Sequence, residues 1–148
     1  MRKPIQVLIF PFYKEKNCYL YAIFKRRDLK FWQGISGGVE NKETTLEAAK
    51  RELREETKIV NYSKFIKLNS MTTIPAVNFG KHRWGKNIYV VPEFSFGVEL
   101  ISKNIKIGKE HSDYRWLLFE EASRLLKYDS NKTALWELNR RLTKSKEE

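Results

Sequence analysis

Apolar residues fall along this chain in short dense runs separated by polar turns, with longer segments of helical spacing between them. Residues 5–13 and 19–25 are rich in branched and aromatic side chains and predict two strands joined by a turn at Lys14-Glu15-Lys16-Asn17. A loop around Asp28 to Lys30 and an extended stretch over 32–36 follow, and Gly37-Gly38 reads as a turn before a helix. In that helix Leu46, Ala49 and Leu53 form an i, i+3, i+7 stripe that can face a core, while Lys50 and Arg54 stand on the outward flank. Thr44 suits the N-cap, and Glu47 three residues on completes a capping box. Segments 65–73, 87–91, 94–100 and 114–119 are further strand candidates, with Pro75 and Pro92 as boundaries. Residues 120–127 predict a short helix, and Ser130 is expected to cap a last one with Leu135, Leu138 and Leu142 as its apolar stripe. The string fits an α/β domain, a mixed β-sheet sandwiched between α-helices.

Composition narrows this picture. An apolar content of 41% with 14% aromatic excludes a disordered chain, and 148 residues are expected to form a single domain over 1–148. The one cysteine, Cys18, has no internal disulfide partner, consistent with a reducing cytoplasm, and is expected to pack in a strand. Arg2 and Lys3 precede an apolar run that Pro11 interrupts, so the start reads as a first strand, and nothing approaches the ~20 apolar residues of a membrane span. The formal net charge of +11 is mostly solvated surface lysine and arginine, including Arg140-Arg141 and the tail from Lys144. It also attracts a polyanionic ligand. The aromatics are scattered rather than interleaved with basic residues, so nucleic acid is not expected as the main partner.

The candidate chemistry lies on the helix after Gly37. Glu52, Glu55 and Glu56 spread over roughly 100° of helix surface, where like charges repel unless something neutralises them. Oxygen-only donors suit a hard divalent cation, Mg²⁺ or Mn²⁺. Arg51 sits four residues before Glu55, close enough to hold it, and four after Glu47, a favourable pair. The alternative is an ordinary charged helix face.

This segment resembles the Nudix hydrolase box, G-x5-E-x7-R-E-U-x-E-E-x-G-U with U aliphatic. Gly37 is followed at the family's spacing by Glu43 and then by Arg51-Glu52-Leu53-Arg54-Glu55-Glu56-Thr57, ending at Ile59. One specified position departs: Lys58 stands where the family has the glycine that ends the helix, and a left-handed lysine there costs about 1 kcal/mol. Lys25-Arg26-Arg27-Asp28, Phe31-Trp32-Gln33 and Ser36-Gly37 are similar to the approach to the box in bacterial members that act on dihydroneopterin triphosphate and dATP. Glu110-His111 with Tyr114-Arg115-Trp116 resembles the same group's segment bearing a late metal-binding glutamate.

The resemblance implies the Nudix fold and a Mg²⁺- or Mn²⁺-dependent pyrophosphohydrolase that cleaves a nucleoside or pterin triphosphate to a monophosphate and pyrophosphate. It implies Glu52 and Glu56 as principal metal ligands, Glu55 as ligand or acid–base residue, and Glu110 and the Gly37 carbonyl as further ligands, with Arg51 in the catalytic set. It suggests Arg2, Lys3, Arg26 and Ser36 as substrate contacts. Trp32, Phe79 and Trp84 can stack on a ring but equally suit packing, and His82 and His111 lack metal-ligand spacing and read as incidental. The alternatives are a Nudix hydrolase of a dinucleotide, nucleotide sugar or capped RNA, or a nucleotide-binding module without activity.

Overall fold

The computed structural model describes residues 1–144. Its elements are β1 (Arg2–Glu15), β2 (Cys18–Arg26), β3 (Trp32–Gln33), β4 (Ile35–Glu40), α1 (Thr45–Thr57), β5 (Tyr62–Pro75), a 3-10 turn (Ala76–Phe79), β6 (Val90–Leu100), β7 (His111–Leu117), α2 (Phe119–Leu125) and α3 (Asp129–Thr143). No helix among them is long and apolar enough to cross a membrane.

β1 organises the sheet. On one flank it runs parallel to β6, from Gln6↔Glu93 to Phe12↔Glu99, and β6 in turn pairs antiparallel with β5. On the other flank its partners change midway. The first part pairs with β4 (Val7↔Gly37, Ile9↔Ile35) and the end pairs with β2 (Phe12↔Tyr21, Glu15↔Cys18). β2 continues away from β1 to join β3 and β7. The sheet therefore splits where β2 leaves β1, and the β3–β4 segment fills the split.

Alternation along β1 sends successive side chains to opposite faces. Val7 and Ile9 pack with Ala48, Ala49 and Leu53 of α1, whereas Leu8, Phe10 and Phe12 pack with Ala122 of α2 and with Ala134, Leu135 and Leu138 of α3. This is the expected mixed sheet between helices.

α1 starts as its sequence dictates: Thr44 accepts from the Glu47 N–H at 3.1 Å, and Glu47 accepts from the Thr44 N–H at 2.9 Å. That engagement replaces the anticipated Glu47–Arg51 pair. At the other end Lys58 takes the left-handed conformation, φ 63°, and its N–H bonds the Arg54 carbonyl at 2.9 Å, so lysine reproduces the helix exit of the family's glycine.

Several expectations need correction. Gly37 and Gly38 are not a turn but lie inside β4, paired with Val7 and Gln6. Leu46 is exposed, and Ala48 takes the core place assigned to it. Pro92 does not end a strand: residues 90–100 form one strand, and Pro92 sits just before the β1 pairing begins at Glu93, where a missing N–H breaks no bond to β1. Residues 87–89 lie outside that strand. Ser130 lies within the first turn of α3, whose N-cap, Tyr128, makes no side-chain cap bond. Cys18 is in a strand but exposed. The tail beyond Lys144 lies outside the described residues.

Candidate active site

α1 lies against β4 so closely that a Cβ on Gly37 would sit 2.1 Å from the Glu52 carboxyl carbon. Glycine at 37 is thus required by close approach, with its backbone in ordinary extended geometry. Glu52 and Glu56, one helical turn apart, are buried, whereas Glu55 is exposed at the flank.

Arg51 fastens this arrangement. Its Nε donates to Glu43 Oε2 at 2.6 Å, Nη2 to Glu43 Oε1 at 2.9 Å and to the Gly38 carbonyl at 2.8 Å, and Nη1 to Glu52 at 2.9 Å and Glu55 at 3.1 Å. One guanidinium thereby ties the helix to β4 and to the loop before it, and these partners push its own pKa further up. Arg51 is a positioning residue in this geometry. Glu43 is pulled below the usual carboxylate range by the same bonds.

Burial pushes Glu52 up to about 7 against the opposing effect of Arg51, with Glu55 and Glu110 adding to the rise. Glu110, immediately before β7 as expected, is also raised, by burial and then by Glu56. These acids feel one another's charge across the cleft.

His111 is not incidental. It is buried, and its Nδ1 lies 3.1 Å from Glu56 Oε1. Beneath Glu56, the loop leading to β7 caps the end of α1: Lys106 N–H bonds the Thr57 carbonyl and Gly108 N–H the Glu56 carbonyl, each at 3.1 Å. A Cβ on Gly108 would come within 2.8 Å of Glu56 Oε1, so this glycine also serves close approach. Neither His111 nor Gly108 stands out in the sequence, because their link to α1 spans more than fifty residues.

An open cleft of about 970 Å³ lies over the split in the sheet. Arg2, Arg26, Ser36, Gly37, Glu52 and Glu110 line it together, and so do three cations that sequence reasoning passed over, Arg27, Arg83 and Lys109. Arg26 ends β2 as expected but holds Asp28 through two bonds of 2.9 and 2.6 Å. Arg2 donates to Gln6, lies 4.9 Å from the Phe79 ring centre, and is lowered by burial and by Arg83. Its Nε is buried without a partner. Lys3 is outside the wall, bonded at 3.0 Å to the Glu43 carbonyl. Arg51, Glu55 and Glu56 stand behind or beside the lining. Phe79 lines the cleft with Trp84 edge-on to it at 5.8 Å, while Trp32 packs in the α2–α3 core beneath Arg115.

For a divalent cation the donor chemistry fits: all-oxygen acids, two of them raised by burial and mutual charge, beside a main chain that glycine leaves open. Among the described residues no three acidic, histidine or cysteine groups converge on one point, so the donors stand around the cleft rather than in a preformed cage.

The comparisons agree with this geometry. The NUDIX domain family matches residues 2–138, and the chain belongs to that family. It is 28% identical over 137 residues to the dihydroneopterin triphosphate diphosphatase of Escherichia coli, covering 90% of this chain and 91% of that protein. The Haemophilus influenzae protein of the same name is 26% identical, covering 87% and 83%. Among solved structures, a NUDIX hydrolase of Listeria monocytogenes superposes with a TM-score of 0.84 at 42% identity, covering 95% and 94%. The E. coli dihydroneopterin triphosphate pyrophosphohydrolase gives 0.77 at 26%, covering 93% and 96%. The protein is thus a pyrophosphohydrolase, an enzyme acting on phosphoric anhydrides.

Proposed function

We propose that the enzyme is metal-dependent and cleaves a nucleoside triphosphate or pterin triphosphate, of the dATP or dihydroneopterin triphosphate kind, to a monophosphate and pyrophosphate. The observation that carries this reading is Glu52 buried against Gly37, raised to about 7 and flanked by the charges of Glu55 and Glu110. A buried acid cluster facing a cation-lined cleft suits a ligand that brings both positive and negative charge. The names of the E. coli and H. influenzae relatives favour the pterin triphosphate.

Glu52, Glu56, Glu110 and the Gly37 carbonyl would hold Mg²⁺ or Mn²⁺, with Glu55 as ligand or acid–base residue. A divalent cation there supplies neutralisation of the phosphate oxygens and lowers the pKa of a bound water. Arg51 keeps Glu52 and Glu55 in place and ties them to β4. His111 fixes Glu56 through Nδ1. Arg26 binds phosphate when it exchanges Asp28 for the ligand, and Arg2 and Ser36 meet the same anion from β1 and β4. Lys3 acts through the Glu43 carbonyl rather than by contact. The enzyme works as one domain over 1–148, and the lone Cys18 suits a cytoplasmic setting.

Purified protein assayed with Mg²⁺ or Mn²⁺ against dATP, dGTP, dihydroneopterin triphosphate, a dinucleotide and a nucleotide sugar tests this. Pyrophosphate release from a triphosphate, abolished by excess EDTA, is expected. Cleavage of the dinucleotide or sugar alone, or turnover that survives EDTA, overturns it.

A further inference from the structure

The cleft adjoins an inner lobe of about 610 Å³, bounded by Gln33, Ser36 and Phe79, which also line the outer cleft, and by Glu93, Tyr128 and Asn131. Glu93 is 5% exposed, and no described residue hydrogen-bonds or ion-pairs with its carboxyl. Burying a carboxyl without a partner is costly, and burial alone pushes this one up to about 7. It is not in the core by accident of register. Gln6 pairs with Gly38 on one side and with Glu93 on the other, so these three positions share the sheet face toward α3. Two strand spacings, about 10 Å, separate the Gly38 backbone from that of Glu93. Gln6, Arg26, Gln33, Ser36 and Phe79 line both the cleft and the lobe, so a ligand whose phosphates lie in the cleft can extend its ring into the lobe.

The remaining wall suits a flat heterocycle. Leu8, Ile74 and Phe79 supply apolar surface. Asn131 accepts the Gly34 N–H through Oδ1 at 2.9 Å, which leaves its amide NH₂ as a donor, and Gln33 is buried with no side-chain bond. The lobe thus offers amide donors around a single buried acid. A carboxylate presents two acceptors side by side, complementary to two adjacent N–H donors.

Resting on the triphosphate reading above, we propose that the inner lobe holds the ring of the substrate and that Glu93 selects a 2-amino-4-oxopyrimidine edge, the pair of N–H donors shared by guanine and pterin. Adenine offers one donor and one acceptor and leaves one carboxylate oxygen facing a ring nitrogen lone pair. The side-chain amides complete the match by donating to the ring carbonyl. The charged groups sharing Glu93's surroundings are Arg26 and Asp28, paired with each other, and Asp129 at the start of α3, which borders a smaller pocket on the α3 side of Glu93. None of them neutralises Glu93.

The test reads binding rather than turnover, so it stands apart from the catalytic assignment. Calorimetry in EDTA measures dissociation constants of dGMP, dAMP and dihydroneopterin monophosphate for the wild type and for Glu93→Gln, with thermal melting to show that the variant folds. The wild type is expected to favour the 2-amino-4-oxo ligands over dAMP, and Glu93→Gln, whose amide offers one donor and one acceptor, to shift that ratio by at least ~30-fold toward dAMP. Whether dGMP or the pterin binds tighter identifies the source of the edge. A pH series on the wild type serves as the second measurement: the preference over dAMP should rise between about pH 6 and 8 as the carboxyl ionises. An unchanged ratio in the folded variant, or a flat pH series if the variant fails to fold, overturns the proposal. A wild type that binds with the expected preference, shifted as expected in Glu93→Gln, but does not hydrolyse triphosphates with Mg²⁺ would instead count against the function proposed for the outer cleft.

Discussion

Glu52 on α1 and Glu93 on β6 are both buried and both pushed up to about 7, yet their surroundings are opposite. Glu52 has an arginine 2.9 Å away and other carboxylates within electrostatic reach. Glu93 has no hydrogen-bond or ion-pair partner among the described residues, the nearby Arg26 and Asp28 being paired with each other, and burial is the sole cause of its rise. The first environment organises several charges around a site for phosphate chemistry. The second isolates one group whose hydrogen bonds are left for something else. Similar upward shifts thus conceal different surroundings, and the partners tell them apart.

The strongest way to break the contrast is to remove charge without shape on the α1 side. Glu56→Gln is expected to lower kcat at least ~10²-fold while leaving the fold intact, because the amide keeps volume but not charge. Steady-state kinetics with Mg²⁺, alongside circular dichroism, checks it, and full turnover by the variant removes Glu56 from the mechanism.

Arg51→Ala comes next. It strands Glu43 and Glu52 and frees the Gly38 carbonyl, so stability should fall by about 2 kcal/mol and kcat by ~10-fold or more. A melting temperature within a degree of the wild type would show that the network holds nothing.

Glu93→Gln sharpens the comparison from the other side. Folding raises the Glu93 pKa from 4.5 to about 7, so the protonated form is favoured in the native state. Its contribution is fully present below pH 4.5 and is lost as pH rises through 7. The variant should match the wild type near pH 5 and exceed it by about 2 kcal/mol at pH 8. Denaturant titrations of the chelated protein at the two pH values measure this, and a pH-independent difference would mean that Glu93 is not held neutral.

Smaller effects concern the basic residues. Arg26→Ala should raise KM for a triphosphate ~10-fold, through a lost phosphate contact. Deleting residues 144–148 should leave KM nearly unchanged, since a small ligand meets few positions. Both are read in one steady-state experiment at about 0.15 M salt. An unaffected Arg26→Ala enzyme would leave Arg26 as a partner of Asp28 alone.

Most of the α1 side was legible in the chain. The capping box, Leu53 facing the core and the flanking Lys50 and Arg54 follow from helical period alone, since a helix brings i, i+3 and i+4 together whatever surrounds it. Local spacing failed where a tertiary neighbour competed. Leu46 faces solvent because β4 meets the helix at Ala48 and Ala49, and Arg51 turns to Glu43 instead of Glu47 because Glu47 is engaged in the cap.

Glu93 was hidden for a related reason. In the run PEFSFGVEL the alternation of Glu93, Ser95, Gly97 and Glu99 with apolar residues reads as a half-solvated strand. Which neighbours flank that polar face is not written in the period. The parallel pairing with β1 and the covering by α3 bury it, and Gly97 is where Leu138 of α3 presses in.

What this sequence determines by itself is the helix with its acids and its cap, because those interactions close within a few residues, whereas the left-handed exit at Lys58 came from the structure. What only the tertiary structure decides is the company those acids keep. His111 and Gly108 reach Glu56, Gly37 yields to Glu52, and Glu93 is carried to the far flank of β1, through contacts between segments far apart in the chain. No local rule sets such contacts, because they depend on which strand pairs with which and in what register.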